Sequence, residues 1–232
     1  PGELNGSSTQ LLLDARTGEV LLHQVLPELL WQAIEGRPFA DRLAEIRTDA
    51  KPSIWLRRAR EEHASIASFA RHLLEMMAMG APVDLLQAIS KAQLDEVRHT
   101  QLCLQRARAD GCDAVLGALD TSLPPRLGGL AVALGVALEG CVNETLAATR
   151  MAESAQQATG DDAILLAQIA EDETEHACLA WRTLTWLWPS LSADEQHQVR
   201  SAMVDATPDW ALSMLSPCWD ALPIASERLA AR

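Results

Sequence analysis

The 232-residue chain has no tyrosine, only two phenylalanines against seven tryptophans, and only two lysines, Lys51 and Lys91, beside 17 arginines. These are biases of composition. None of the five cysteines (Cys103, Cys112, Cys141, Cys178, Cys218) falls in a C-x-x-C pair. Their odd number and the missing motif speak against a disulfide framework, a zinc knuckle or an attached rubredoxin-like iron site, and fit a reducing compartment. Positive charge is scarce as well. The formal net charge is −13, which disfavours nucleic acid, because binding there draws most of its affinity from basic contacts to phosphates. No run of about 18 uninterrupted apolar residues is present to span a bilayer, and Pro1-Gly2-Glu3-Leu4 lacks the basic and apolar regions of a secretory signal. The expectation is a cytoplasmic protein without a membrane partner, built around one main core.

What is present is helical periodicity. Residues 1–50 stand apart as an N-terminal extension, with a hairpin expected where Gln10–Asp14 and Glu19–His23 flank Ala15-Arg16-Thr17-Gly18, and a short helix over Leu26–Ile34. From Pro52, placed in a first turn, Trp55, Ile66, Phe69, Leu73 and Met76 recur at helical spacing until Gly80-Ala81-Pro82. A second helix is predicted from about Val83 to Ala109, ending before Gly111. The turn-rich passage Gly117–Gly129, with Pro124-Pro125, is long enough for a crossover. A third helix follows over about Leu130–Ala158. A fourth, capped by Asp161 or Asp162, ends near Trp188-Pro189. Residues 51–190 thus read as an antiparallel four-helix bundle, all-α. Residues 191–232 supply an extra C-terminal helix, about Ala193–Ala206, and a tail rich in Pro and Trp.

Two copies of one pattern lie within this region, Asp95-Glu96-Val97-Arg98-His99 and Asp172-Glu173-Thr174-Glu175-His176. Each places Glu and His three positions apart, which on a helix aims both side chains at one point. A Glu-x-x-His from each of two helices, with one further Glu from each of two others, is how a four-helix bundle holds a pair of iron or manganese ions. The further carboxylates follow from chain length. Glu62 precedes Gly80 by about 18 residues and Glu96 follows Pro82 by about 14, so at ~1.5 Å rise per residue the chain runs about 27 Å out and about 21 Å back. Glu144 precedes Gly160 by about 16 residues and Glu173 follows Asp161 by about 12, which is about 24 Å and about 18 Å at the same rise. Sliding the first hairpin along the chain superposes Glu62 on Glu144 and, with a slightly shorter shift, Glu96-x-x-His99 on Glu173-x-x-His176. The region reads as an internal duplication of a helical hairpin. Unpaired charges flanked by Ala59, Ile66, Leu138, Ala148 and Ile169 would be costly to bury without a metal. Surface helices laced with salt bridges are the bland alternative.

With these residues the chain resembles the ferritin-like di-iron superfamily over residues 52–188. Glu62, Glu96, His99, Glu144, Glu173 and His176 match its six ligand positions, and two iron ions are implied, with manganese or a mixed pair open. Two Glu-x-x-His motifs resemble the catalytic branch rather than iron-storage ferritins. The resemblance also implies that Asp95 and Asp172 accept the outer ring N–H groups of His176 and His99 respectively. Asp95–His99 matches the D-E-x-R-H pattern of the monooxygenases, whereas the second copy has Glu175 in place of the arginine. Rubrerythrin-type peroxide reduction is less well supported, because that family's additional Glu falls on Ala147.

Ser65, Ile66, Phe69, Cys141 and Ala148 are expected to line a substrate pocket, with Ala147 and Met151 as neighbours; Cys141 is equally read as a small core residue. His63 points away from Glu62 around the helix. His23, His72 and His197 have no partner spacing, and Trp181 and Trp188 read as packing. The implied function is a non-haem di-iron oxidase or oxygenase that oxidises a small-molecule or peptide substrate. Its expected partners are dioxygen or peroxide, an unknown organic substrate and an external electron-donor protein; a homodimer is compatible with the sequence. The alternatives are a ferritin-like iron-handling or peroxide-stress protein with ferroxidase activity and no organic substrate, and a metal-free interaction scaffold.

Overall fold

The computed structural model describes residues 46–47, 53–121 and 126–222. The expected hairpin, the short helix over Leu26–Ile34, Pro52 and Pro124-Pro125 lie outside the described residues.

Helix α1, Ile54–Ala78, begins at Ser53, whose side chain accepts the Trp55 N–H at 3.2 Å. Its end is set by Gly80 at φ 74°. Only there can Ala81 N reach Met76 O at 3.0 Å and Gly80 N reach Met77 O at 3.1 Å, closing the last carbonyls. Pro82 then starts α2, Val83–Ala109, which ends in the same way: Gly111, at φ 82°, lets Cys112 N bond Ala107 O at 2.9 Å. One short ladder was not foreseen. Strand β1, Ile46–Arg47, pairs antiparallel with β2, Val115–Leu116, in the register Ile46 to Leu116 and Arg47 to Val115. Two residues per strand carry no periodicity to read.

Helix α3 spans Gly129–Gln157 and holds a π-helical stretch over Val136–Glu144. Helix α4, Gly160–Leu187, starts from Thr159, so Asp161 and Asp162 occupy its first turn instead of the cap, where their charge still suits the helix dipole. A single 3₁₀ turn, Trp188–Ser190, leads to α5, Ala193–Ala206, opened by a capping box between Ser192 and Glu195. The expected tail is a sixth helix, α6, Asp209–Asp220. Pro208 precedes its first turn and Pro217 falls in its last. Along the helix Ala211, Leu215 and Trp219, four apart, are buried. The Arg200 guanidinium donates to the Trp219 and Leu222 carbonyls at its end.

Helix α1 packs along α2, α3 along α4, and α2 against α4, while α5 lies against α3. Two apolar clusters result. One gathers Met76, Ile89, Val136, Leu184, Trp188, Met203 and Leu215; the other gathers Trp55, Leu56, Cys103, Ala107, Met151 and Ile169. Along α1, α2 and α4, the charged residues singled out in the sequence fall between these clusters. Among the described residues α3 alone is long and apolar enough to cross a membrane, and most of it is buried against its neighbours, which is also how a core helix passes that test.

Candidate metal centre

The buried stripe of α4 runs Leu166, Ile169, Glu173, His176, Ala180, Thr183, Leu187, in steps of three and four. Glu173 and His176 therefore face the interior because the helix repeat places them there. On α2 the same logic turns Glu96, His99 and Cys103 inward together. Glu62 comes from α1, and Glu144 from the last residue of the π stretch of α3. All six side chains are buried, none more than 6% exposed.

They form two overlapping groups whose ligand atoms lie within 4.8 Å of one another: Glu62, Glu96, His99 and Glu173, and Glu96, Glu144, Glu173 and His176. Glu96 and Glu173 belong to both. His99 Nδ1 stands 3.7 Å from Glu62 Oε2, 3.9 Å from Glu96 Oε2 and 3.7 Å from Glu173 Oε1. His176 Nδ1 stands 3.2 Å from Glu96 Oε1 and 3.8 Å from Glu173 Oε2. Both oxygens of Glu96 and of Glu173, Glu62 Oε2, and Nδ1 of each histidine are buried with no hydrogen bond. Leaving one such group unsatisfied costs roughly 1–3 kcal/mol, more when charged. A cluster with this many could hold a metal ion, and carboxylates with imidazoles are donors that suit a divalent transition metal.

Without metal, protons take up part of the strain. Burial, reinforced by the Glu96 carboxylate, raises the Glu62 carboxyl to about 8. Burial would push the His99 imidazole down, but Glu62 and Glu96 outweigh it and lift it to about 11. Against the same burial, Glu173 and Glu96 lift His176 to about 12. Glu96 is held well below the usual carboxylate range, because His176 and His99 overcome its burial. Glu173 is lowered too, by His176 against burial and the Glu96 charge.

The outer ring nitrogens differ. Asp172 Oδ2 lies 3.0 Å from His99 Nε2, a hydrogen bond that leaves Nδ1 facing the cluster. Asp95 Oδ2 lies 3.6 Å from His176 Nε2, too far for one. Arg98 ties the two aspartates together, at 3.0 Å from Asp95 Oδ1 and 2.6 Å from Asp172 Oδ2. The D-E-x-R-H pattern contained this arginine, but not its role as a clip between the two copies. At the equivalent position in the second copy, Glu175 instead pairs with Lys91 at 2.6 Å. A groove of about 350 Å³, bordered by Lys91, Asp95, Glu175 and Arg182, opens at the outer edge of His176.

The pocket differs from the expected one. A cavity of about 50 Å³ opens on Glu144 and His176, walled by Phe69, Val136, Gly140 and Leu179. Of the five pocket residues named from sequence, only Phe69 borders it; its ring meets His176 edge-on, with centroids 5.2 Å apart. Cys141 packs in the apolar core, where burial raises its thiol and keeps it neutral. Ser65 Oγ donates to the Glu61 carbonyl at 3.2 Å, the Ile66 carbonyl accepts from Gln93 at 3.2 Å, and Ala148 is buried away from the cavity. For Cys141 the cause is the π stretch. Its turns take more than four residues, so Cys141 and Glu144, three apart, no longer share a face. Val136, Gly140 and Glu144, four apart, do. Gly140 also brings α3 against α4, since a Cβ there would sit 2.6 Å from that of Ala180.

A second set of charges adjoins the cavity, which Arg126 and Glu139 line. Arg71 donates to both oxygens of Glu139, at 3.0 and 3.1 Å. Arg126 bonds Glu75 through its main-chain N–H at 2.7 Å and its guanidinium at 3.0 Å, and also reaches Glu139. A side chain on Gly135 would collide with that guanidinium. His72, unremarkable in the sequence, lines the cavity here; burial and the two arginines lower its imidazole to about 4, so it is neutral.

Comparison with protein-family models, with curated proteins and with solved structures gave no match. The all-helical fold and its buried acid and histidine cluster are compatible with a ferritin-like protein.

Proposed function

We propose that α1 to α4 form a ferritin-like four-helix bundle holding two iron ions, with manganese or a mixed pair as the alternative loading, and that the protein is a di-iron oxidase or oxygenase acting on a small-molecule or peptide substrate. One observation carries this reading: six buried side chains fall into two groups that share Glu96 and Glu173, and both shared carboxylates, Glu62 Oε2 and Nδ1 of each histidine have no hydrogen bond. Two groups with two shared carboxylates fit two adjacent ions, Glu62 and His99 serving one, Glu144 and His176 the other. Bound iron would supply dioxygen activation, chemistry that no side chain of the chain has by itself.

The residues do the rest. Asp172 takes the His99 Nε2 proton into its hydrogen bond and fixes the tautomer whose Nδ1 faces the centre. Phe69 limits rotation of the His176 ring. The two apolar clusters keep water from both ends of the charged layer. The cavity on Glu144 and His176 supports an organic substrate over iron handling alone, because it leaves room beside the centre. Electrons would come from a separate donor protein, since the sequence contains no iron–sulfur, flavin or rubredoxin motif.

The test is anaerobic loading with ferrous iron, then exposure to dioxygen with candidate substrates, followed by mass analysis. A modified product supports an oxygenase. Consumption of ferrous iron and dioxygen alone, with every candidate intact, points to the iron-handling alternative.

A further inference from the structure

The walls of the cavity beside Glu144 and His176 are of two kinds. Phe69, whose ring meets His176, and Val136, Leu179 and Ala180 are apolar. Ser68 and His72, four apart on one face of α1, are polar and line it as well. Ser68 Oγ is buried and has no hydrogen bond, and His72 makes none with another described residue. A buried hydroxyl left unsatisfied is costly, and a ligand that bonds it recovers that cost. The charges that adjoin this cavity are already matched. Arg71 and Arg126 face Glu75 and Glu139, two against two, through contacts at 2.7 to 3.1 Å. A charged ligand group would have to break one of those pairs and strand its partner, which is strongly unfavourable in a buried site.

We infer that this cavity binds a small uncharged molecule, or the uncharged end of a larger one, through one amide, carbonyl or hydroxyl group placed between Ser68 and His72, with apolar carbon against the apolar walls. Ser68 offers a hydroxyl that donates or accepts, and His72 one donor and one acceptor nitrogen. An amide answers both. The volume of about 50 Å³ admits only a short group. The inference rests on the di-metal reading for what happens to the bound carbon, but the binding itself needs only the cavity.

Propionamide is a suitable probe, with propylammonium as its charged counterpart. In protein loaded with Mn(II), saturable relaxation enhancement of the propionamide methyl protons is expected, with none for propylammonium. Ser68→Ala should weaken propionamide about tenfold, the loss of one hydrogen bond, while Ser68→Thr keeps the hydroxyl and the affinity. Saturation transfer to metal-free protein reads the same binding without the ions. Failure to load metal, with propionamide still bound in a Ser68-dependent way, would defeat the di-metal reading and leave this site standing. Full loading with no saturable propionamide binding, or with binding that Ser68→Ala leaves unchanged, would overturn it.

Discussion

Two clusters of buried charge lie near each other in this protein, and they solve the same physical problem differently. Arg71, Glu75, Arg126 and Glu139 satisfy one another: each carboxylate meets a guanidinium and the charges cancel. The set around Glu96 and Glu173 does not close. Three of its carboxylates, Glu62, Glu96 and Glu173, face two imidazoles at 3.2 to 3.9 Å, with lone pairs unused and a proton held on Glu62 up to about pH 8. A network that closes on itself is structure. One that stays open, and lies deeper, could hold a metal ion.

The comparison breaks most sharply under truncation of a shared member. Glu173→Ala should take metal content from about two per chain to well under one, measured by elemental analysis after loading, because each divalent ion would lose a carboxylate common to both groups. Loading at the full level in that variant would remove Glu173 from the site. Next in size is the response of the metal-free protein. Glu75→Ala leaves the Arg126 guanidinium short of its partner and should cost about 3–5 kcal/mol, read as a lower denaturation midpoint. Glu62→Gln removes a carboxyl that is already disfavoured as a charge, and should leave that midpoint unchanged or raised. If both variants lost equal stability, the distinction between the clusters would fail.

Smaller effects sharpen the asymmetry of the outer partners. Asp172→Asn should weaken metal affinity about 10–100-fold in a competition titration with a chelator, because Asp172 fixes the His99 tautomer. Asp95→Asn should do less, since His176 lacks that bond. The pH dependence is the gentlest probe. In the metal-free folded state Glu62 is raised to about 8, His99 to about 11 and His176 to about 12, all above their unfolded values. The folded chain therefore holds more protons than the unfolded one above about pH 5, and stability falls as pH rises. The Glu62 contribution is lost up to about pH 8, and that of the histidines from about pH 6.5 upward. The melting temperature of the metal-free protein should thus be lower at pH 9 than at pH 6; a rise would contradict these shifts.

Much of this was legible in the sequence, because helical spacing is a strong signal in elements as long as α1, α2 and α4. The bounds of α2 and α5 agree with it, and the two Glu-x-x-His motifs and the hairpin lengths point to the six side chains that the buried cluster gathers. What the spacing hid has identifiable causes. The cavity beside Glu144 and His176 was not legible, because a π stretch leaves no mark in residue spacing. Helix α6 is hidden by Pro208 before it and Pro217 within its last turn, although Ala211, Leu215 and Trp219 carry its apolar stripe. Strand β2 is too short to show an alternation. The Arg71 to Glu139 network joins α1 to the π stretch of α3, a pairing no local pattern announces. Arg98 was visible as part of a motif, but its grip on Asp172 depends on how α2 meets α4.

The most direct test of the open cluster is the metal content of the wild-type chain. After anaerobic loading with ferrous iron and removal of loosely held ions, elemental analysis should give about two iron ions per chain, falling to well under one in Glu173→Ala. Well under one ion per wild-type chain would contradict the account at its centre.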